Sequence, residues 1–149
     1  MTAFHSFSRR GFLGILALGL LRPFAALAAW NKEAFGAKTA DAALKGIGVS
    51  GAAPTKDIVI EAPEIAENGA VVPIEITSNL PGTTAIAVIA DKNPFPLIAQ
   101  FQFRDGAVPF VKLNIKMGET SEVRAIAQAG GKSYVATKEI KVTIGGCGG

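Results

Sequence analysis

The chain has 149 residues, with 15 lysines and arginines against 12 aspartates and glutamates. Three arginines between positions 9 and 22 account for the positive excess, so the chain from residue 29 onward carries 12 charges of each sign. That balance gives no support for nucleic acid or an anionic membrane as a partner. The only histidine is His5 and the only cysteine is Cys147. Downstream of residue 28 the composition therefore excludes a Ser-His or Cys-His catalytic pair, an ordinary Cys/His zinc site and histidine-ligated haem.

The N-terminal stretch predicts an export signal over residues 1–28. Arg9 and Arg10 precede an apolar run of 11 residues, Gly11–Leu21, and Ala26–Ala28 offers a small-residue cleavage site. The run is too short to span a membrane, which takes about 20 apolar residues. Ser8–Leu13 reads SRRGFL, the pattern of the twin-arginine export route, so we expect a soluble protein exported in its folded form to the periplasm. An amphipathic helix belonging to the mature domain is the alternative.

Residues 29–144 are expected to form one domain that begins with a short helix. Apolar residues recur at the spacing of one helical face, Thr39 is a candidate N-cap, and Gly46 or Gly48 could end the helix. The apolar residues on that face are Ala40, Ala43, Leu44 and Ile47.

From residue 57 onward the apolar residues alternate with a period of two, which predicts about seven short strands. Glycine, proline and asparagine turn signals separate them, so we predict an all-β immunoglobulin-like sandwich, with a β-barrel as the alternative. Pro73 favours an edge strand, and Lys138 interrupts the last run, which is consistent with a bulge or a break. The run 84–90 is nearly all apolar, which favours a central strand. The runs are 58–60, 72–76, 84–90, 97–104, 111–117, 123–127 and 134–144, with residues 97, 99, 101 and 103 on one face.

A few polar and aromatic positions are weaker candidates for a site. Glu61, Glu64 and Glu67 are spaced across one loop and are expected to form a solvated rim. The segment Lys92–Pro96, KNPFP, is either a binding loop or a rigid turn with its aromatic ring tucked inward. Tyr134, the sole tyrosine, is expected in the core or on a sheet face.

The strongest candidate is the C-terminal segment, GGCGG. Glycine has the widest backbone freedom and no side-chain bulk, so residues 145–149 are expected to form a flexible arm with a reach of about 17 Å. We expect Cys147 to hold a substrate covalently while other proteins act on it, with the arm formed by Gly145, Gly146, Gly148 and Gly149. No basic residue is close in sequence, so we expect the thiol to be activated by a partner rather than by its own chain.

Other interpretations of the segment stay open on the residues alone. Cys147 could be incidental to a disordered end, or it could join two copies of an immunoglobulin-like structural module through a disulfide. Gly148-Gly149 could carry sulfur as a C-terminal thiocarboxylate, as in ubiquitin-like carriers, but the strand pattern lacks their long central helix.

The sequence resembles the SoxY family, the sulfur-compound carriers of bacterial thiosulfate oxidation. The resemblance rests on APEIAENGAVVP (62–73), KNPFPL (92–97), IKMGET (115–120) and GGKSYVATKEIKVTIGGCGG (130–149), and it covers nearly all of the chain after the leader.

The resemblance implies a fold, a role and a set of partners. It implies an immunoglobulin-like sandwich that forms a heterodimer with a SoxZ-like protein and is not itself an enzyme. A c-type cytochrome enzyme would couple thiosulfate to Cys147, a hydrolase would release sulfate, and in some organisms a sulfane dehydrogenase would oxidise the remaining sulfur. It implies no cofactor beyond the sulfur held on Cys147.

Overall fold

The computed structural model of the protein describes residues 31–104 and 106–143. The predicted signal with Arg9 and Arg10, and the predicted arm at 145–149, lie outside the described residues. Within the described ranges, no helix is long and apolar enough to cross a membrane.

Two short helices open the described part, α1 (Lys32–Gly36) and α2 (Ala40–Gly46). The side chain of Thr39 accepts a hydrogen bond from Ala42 N at 3.2 Å, which confirms the predicted N-cap. Gly48 follows the end of α2 with a φ of 77°, the left-handed conformation that favours glycine after a helix. Helix α1 was not predicted, because five residues are too few to show a periodicity.

Within the described ranges, nine strands follow the helices and form two sheets. The larger sheet has the order β1-β9-β8-β5-β6, with β3 also paired to β9, and the smaller has the order β2-β4-β7. β1 and β3 run parallel to β9 at two places along its length, whereas the longer strands pair antiparallel to each other. The strands are β1 (Ala53–Pro54), β2 (Ile58–Glu61), β3 (Ile65–Ala66), β4 (Val72–Ser78), β5 (Thr83–Ala90), β6 (Leu97–Gln102), β7 (Phe110–Ile115), β8 (Ser121–Ala129) and β9 (Lys132–Val142).

The strands pack in a sandwich with a third layer of helices. One buried cluster lies between the two sheets and includes Ile74, Ile86 and Val123. A second cluster joins the helices to the outer face of the larger sheet and includes Ala43, Ile89 and Ile126. Because β5 is covered on both faces, it is apolar and buried from Ala85 to Ala90, as predicted for a central strand. The predicted all-β sandwich with a short N-terminal helical segment is confirmed.

Pro73 does not mark an edge strand, so that prediction was wrong. Strand β4 is the middle strand of the smaller sheet, between β2 and β7. The pairing with β2 covers Glu75–Ser78 only, so at Pro73 the strand has a neighbour on one side, Asn114 of β7. A proline without an N–H is tolerated there because no strand faces its other side.

Lys138 does not mark a bulge or a break. Strand β9 is continuous and its register with β8 is unbroken from Lys132 to Ile140. Lys138 lies on the same side of the strand as Tyr134 and Ile140, which both pack in the core between the sheets. Its ammonium group donates a hydrogen bond to Ala62 O at 2.7 Å. The long side chain lets a lysine occupy a core-side position while its charged end reaches a polar partner. The position of Tyr134 against the core confirms the prediction for that residue.

Irregular pairing occurs instead in β5, where Thr84 is an extra residue against β8, and in β6. Val88 pairs with Ala99 but the next residue, Ile89, pairs with Leu97, which leaves Ile98 as an extra residue on β6. The bulge reverses the faces: Leu97 packs with the helices, whereas Ile98 and Phe101 pack between the sheets. The predicted single face from Leu97 to Phe103 was therefore wrong at its first residue.

Candidate functional site

The C-terminal segment departs from one end of the sandwich, which we call the exit end. It consists of the last residue described, Thr143, the turn 67–70, the loop 91–96 and the loop 116–120. Backbone pairing brings these parts together, because β5 ends where β8 begins and β9 ends beside the same residues. The arrangement at this end determines where any C-terminal attachment point can be presented.

The end of β9 is held on both sides. Val142 N donates to Thr120 Oγ1 at 3.0 Å, and Thr143 N donates to Ala66 O at 3.2 Å. Lys141 N donates to Glu64 O at 2.9 Å, next to the short parallel pairing of β3 with β9. The chain is thus fixed in the fold up to Thr143.

Gly69 allows the turn 67–70 to pack directly on this strand end. Met117 N donates to Gly69 O at 2.7 Å. A Cβ at position 69 would collide with the carbonyl oxygen of Met117 and would lie 2.8 Å from Val142 Cγ1. The absence of a side chain therefore permits the contact between the turn, the loop 116–120 and β9.

The loop 91–96 is fixed to the same group of segments. Ala90 N donates to Pro96 O at 2.9 Å and Asn93 N donates to Ala90 O at 3.1 Å, which closes the loop on itself. Lys92 N donates to Ser121 Oγ at 3.1 Å, and Asn93 Nδ2 donates to Lys116 O at 2.7 Å. The loop and its neighbours form a single hydrogen-bonded surface.

A half-buried ion pair lies next to this loop. Arg124 Nε donates to Asp91 Oδ1 at 2.7 Å, and Arg124 Nη2 lies 2.6 Å from the same oxygen. Asp91 N also donates to Glu122 O at 3.1 Å. The start of the loop is therefore joined to β8 by both main chain and side chain.

Phe95 points out of the loop, which contradicts the alternative of a rigid turn with its aromatic ring tucked inward. Its side chain is 48% exposed, while the neighbouring Pro96 is buried. The ammonium group of Lys38, from the turn between α1 and α2, lies 3.6 Å from the centre of the Phe95 ring. The loop therefore presents an aromatic side chain on the exit end.

The three glutamates of the predicted rim are all exposed, as expected. Glu61 lies on β2 near Lys112, whose pKa is raised by the hydrogen bond to Glu75, by attraction to Glu75 and by the more distant charge of Glu61. Glu64 and Glu67 accept hydrogen bonds through their backbone carbonyls. Among the described residues no group of three or more acidic, histidine or cysteine side chains is placed to hold a metal ion.

The predicted attachment residue, Cys147, lies outside the described residues, as do the four glycines around it. Covalent geometry still limits its position. It lies four positions beyond Thr143, so the Cα atoms of the two residues are at most about 14 Å apart. Any reaction at this thiol takes place within that distance, extended by the length of one cysteine side chain, of the exit end.

Comparison with protein-family models identifies residues 45–147 as a sulfur oxidation protein SoxY domain. The chain belongs to the SoxY family. It is similar to a solved structure of the sulfur carrier protein SoxY from Chlorobium limicola f thiosulfatophilum, with 39% sequence identity and a TM-score of 0.64. That similarity covers 70% of this chain and 94% of the solved one. Three of the SoxY-like segments, 62–73, 92–97 and 115–120, meet at the exit end.

A more distant similarity concerns the fold alone. A superoxide reductase (neelaredoxin) from Ignicoccus hospitalis matches with a TM-score of 0.52 and 21% identity, covering 58% of this SoxY-family chain and 79% of that structure. A search of the curated proteins found no match.

Several contacts of the exit end were not predicted. Gly69 is marked in the sequence only as part of a turn signal and Thr120 is not marked at all. Both act through contacts with β9 that are distant in sequence, so no local pattern indicates those contacts. The exposure of Phe95 depends on how loop 91–96 closes. The prolines on both sides of Phe95 were the sequence signal that could have indicated a fixed position for its ring, since they restrict the backbone of the loop.

Proposed function

We propose that this protein carries sulfur covalently on the thiol of Cys147 during thiosulfate oxidation. Family membership over residues 45–147 is the observation that supports this most strongly, since the match extends to the cysteine itself. The structure supports it physically, because the fold holds the chain up to Thr143 and leaves a short glycine-rich segment beyond that residue.

The chemistry begins with an oxidative coupling. The Cys147 thiol loses its proton, a bond forms between Sγ and the outer sulfur of thiosulfate, and two electrons pass to a c-type cytochrome enzyme. The product is a cysteine S-thiosulfonate. In the active site of a hydrolase, water then attacks the terminal sulfonate sulfur and the bond between the last two sulfurs breaks. Sulfate is released, and a persulfide remains on Cys147. A sulfane dehydrogenase is proposed as the oxidant of that remaining sulfur.

In this proposal the protein is a substrate-carrying subunit and its partners supply the catalytic groups. We propose a heterodimer with a SoxZ-like protein, a periplasmic location after twin-arginine export, and no cofactor other than the sulfur on Cys147. The glycines at 145, 146, 148 and 149 supply a thin backbone that a narrow enzyme channel can admit.

Replacing Cys147 by serine tests the proposal. Cys147→Ser should abolish thiosulfate-dependent cytochrome reduction in a reconstituted system, because a hydroxyl cannot form the sulfur–sulfur bond. Intact mass of the wild-type protein from cells grown on thiosulfate should show sulfur or sulfonate adducts that a reductant removes. A circular dichroism spectrum identical to that of the wild type serves as the folding control.

The same mass measurement separates the other functions. An adduct on the Gly149 carboxylate would indicate a thiocarboxylate carrier, and an unmodified thiol or a disulfide-linked dimer would indicate a structural module. Turnover retained by Cys147→Ser would contradict the proposal outright.

A further inference from the structure

The exit end carries an exposed aromatic side chain that the fold does not use in its core. Burying a phenylalanine side chain stabilises a fold relative to leaving it exposed, because its apolar surface is removed from water. Phe95 remains 48% exposed although the adjacent Pro96 and Leu97 are buried. Its loop thus turns the ring toward solvent while the residues after it enter the core.

The loop holds this ring in a restricted position. Pro94 and Pro96 fix the backbone on both sides, the hydrogen bond from Ala90 N to Pro96 O closes the loop, and Asn93 ties it to the loop 116–120. The Lys38 ammonium over the ring restricts the side chain further. A rigid aromatic loses little conformational entropy when a partner covers it, which is the property of an interface anchor.

Other exposed apolar side chains surround the point where the chain departs. Six large apolar residues are exposed within the described ranges, and three of them belong to the exit end or its border. Ile65, 57% exposed, pairs with Lys141 near the end of β9, and Val71, 54% exposed, follows the turn 67–70. The other three, Val59, Val108 and Phe110, belong to the smaller sheet or the loop leading into it.

The length of the chain beyond Thr143 identifies what must approach this surface. Cys147 lies at most about 14 Å from Thr143, so an enzyme that reacts with its sulfur has to bring its channel opening to the exit end. We propose that Phe95 is the docking anchor for the enzymes that act on Cys147, seated in an apolar recess at the channel rim with a carboxylate facing Lys38. This inference rests on the proposed carrier function.

Phe95→Ala tests the anchor, with Phe110→Ala as the matched control. Phe110 is 43% exposed and lies at the opposite end of the smaller sheet, where β4 ends. In thiosulfate-dependent reduction of the purified cytochrome enzyme, Phe95→Ala should raise the KM for the carrier about tenfold, with kcat unchanged, since truncating an interface anchor weakens binding by about that factor. Phe110→Ala should leave both constants at the wild-type values.

Two further measurements keep the result unambiguous. The rate of Cys147 with a small aromatic disulfide reagent should be equal in the wild type and in Phe95→Ala, which shows that the thiol itself is intact. An unchanged KM for Phe95→Ala, or an equal rise for Phe110→Ala, overturns the docking proposal. A change in the oligomeric state of isolated Phe95→Ala overturns it too, because the ring would then serve contacts between copies. If the wild type gains no adduct on Cys147, the carrier function fails instead.

Discussion

At the scale of single residues, Gly69 sets how closely the turn 67–70 approaches the end of β9. Its Cα faces the Met117 carbonyl and the Val142 side chain, and both would be too close to a Cβ. The carbonyl belongs to the main chain of a hydrogen-bonded loop and cannot rotate away as a long side chain could. A methyl group here therefore forces the turn and the strand apart.

We predict that Gly69→Ala destabilises the protein by about 1–3 kcal/mol, the usual cost of overpacking a close contact. Urea denaturation should show a lower midpoint with an unchanged slope. Gly118→Ala is the control, because a Cβ at position 118 meets nothing within 4 Å. Equal midpoints for the two variants would show that the turn can move without cost.

Patterns formed by residues close together in sequence were enough to predict several local features. Thr39 was found as a helix cap because the cap and the helix it serves are adjacent. The contacts of Gly69 and Thr120 with β9 could not be found in this way, since they come from the sandwich topology. The sequence left open whether the ring of Phe95 points inward or outward, and in the fold Pro96 takes the buried position.

At the scale of elements, β9 is the longest strand and the one from which the C-terminal segment continues. The sequence predicted its existence through its alternating apolar residues, and it predicted β5 as a central strand through its unbroken apolar run. The edges of the sheets and the bulges were harder to predict from the sequence. The partners of β4, and the extra residue in β6 at Ile98, depend on pairing between distant segments that no single run encodes.

The side chain of Thr120 is the acceptor that fastens the end of β9, so its loss should loosen that end. Thr120→Val keeps the shape but leaves Val142 N–H without its partner, at a cost of about 0.5–1.5 kcal/mol. Amide hydrogen exchange at Val142 should accelerate by about tenfold, while amides in the middle of β9 should keep their rates.

Thr137→Val is the matched control for this change. Thr137 lies on the same strand and is exposed, paired through its backbone with Arg124. Exchange at Val142 should stay at the wild-type rate in this variant. If Thr120→Val also leaves that rate unchanged, the bond to Thr120 does not hold the strand end.

At the scale of the whole molecule, the sandwich is a rigid support whose exit end places a reactive group at a limited distance. The sequence indicated the carrier through elimination and through the terminal GGCGG. It could not indicate which loops surround the departure point, because their assembly follows from the sheet topology. The fixed strand end and the loop surface around it together determine how far a partner may be from Thr143.

Because of that limit, we predict that turnover depends strongly on the number of residues between Thr143 and Cys147. Deleting Gly145 and Gly146 shortens the maximum distance that Cys147 can reach from the exit end by about 7 Å. Turnover with the partner enzymes should fall at least about tenfold, because the sulfur no longer reaches a recessed active site. Inserting two glycines at the same place should cost less than about threefold, since the entropy of a flexible segment grows slowly with length. Initial rates of thiosulfate-dependent cytochrome reduction measure both effects, and the rate of the thiol with a small disulfide reagent controls for its intrinsic reactivity. Equal loss in the two variants would mean that the glycine sequence itself, rather than its reach, is what the enzymes recognise.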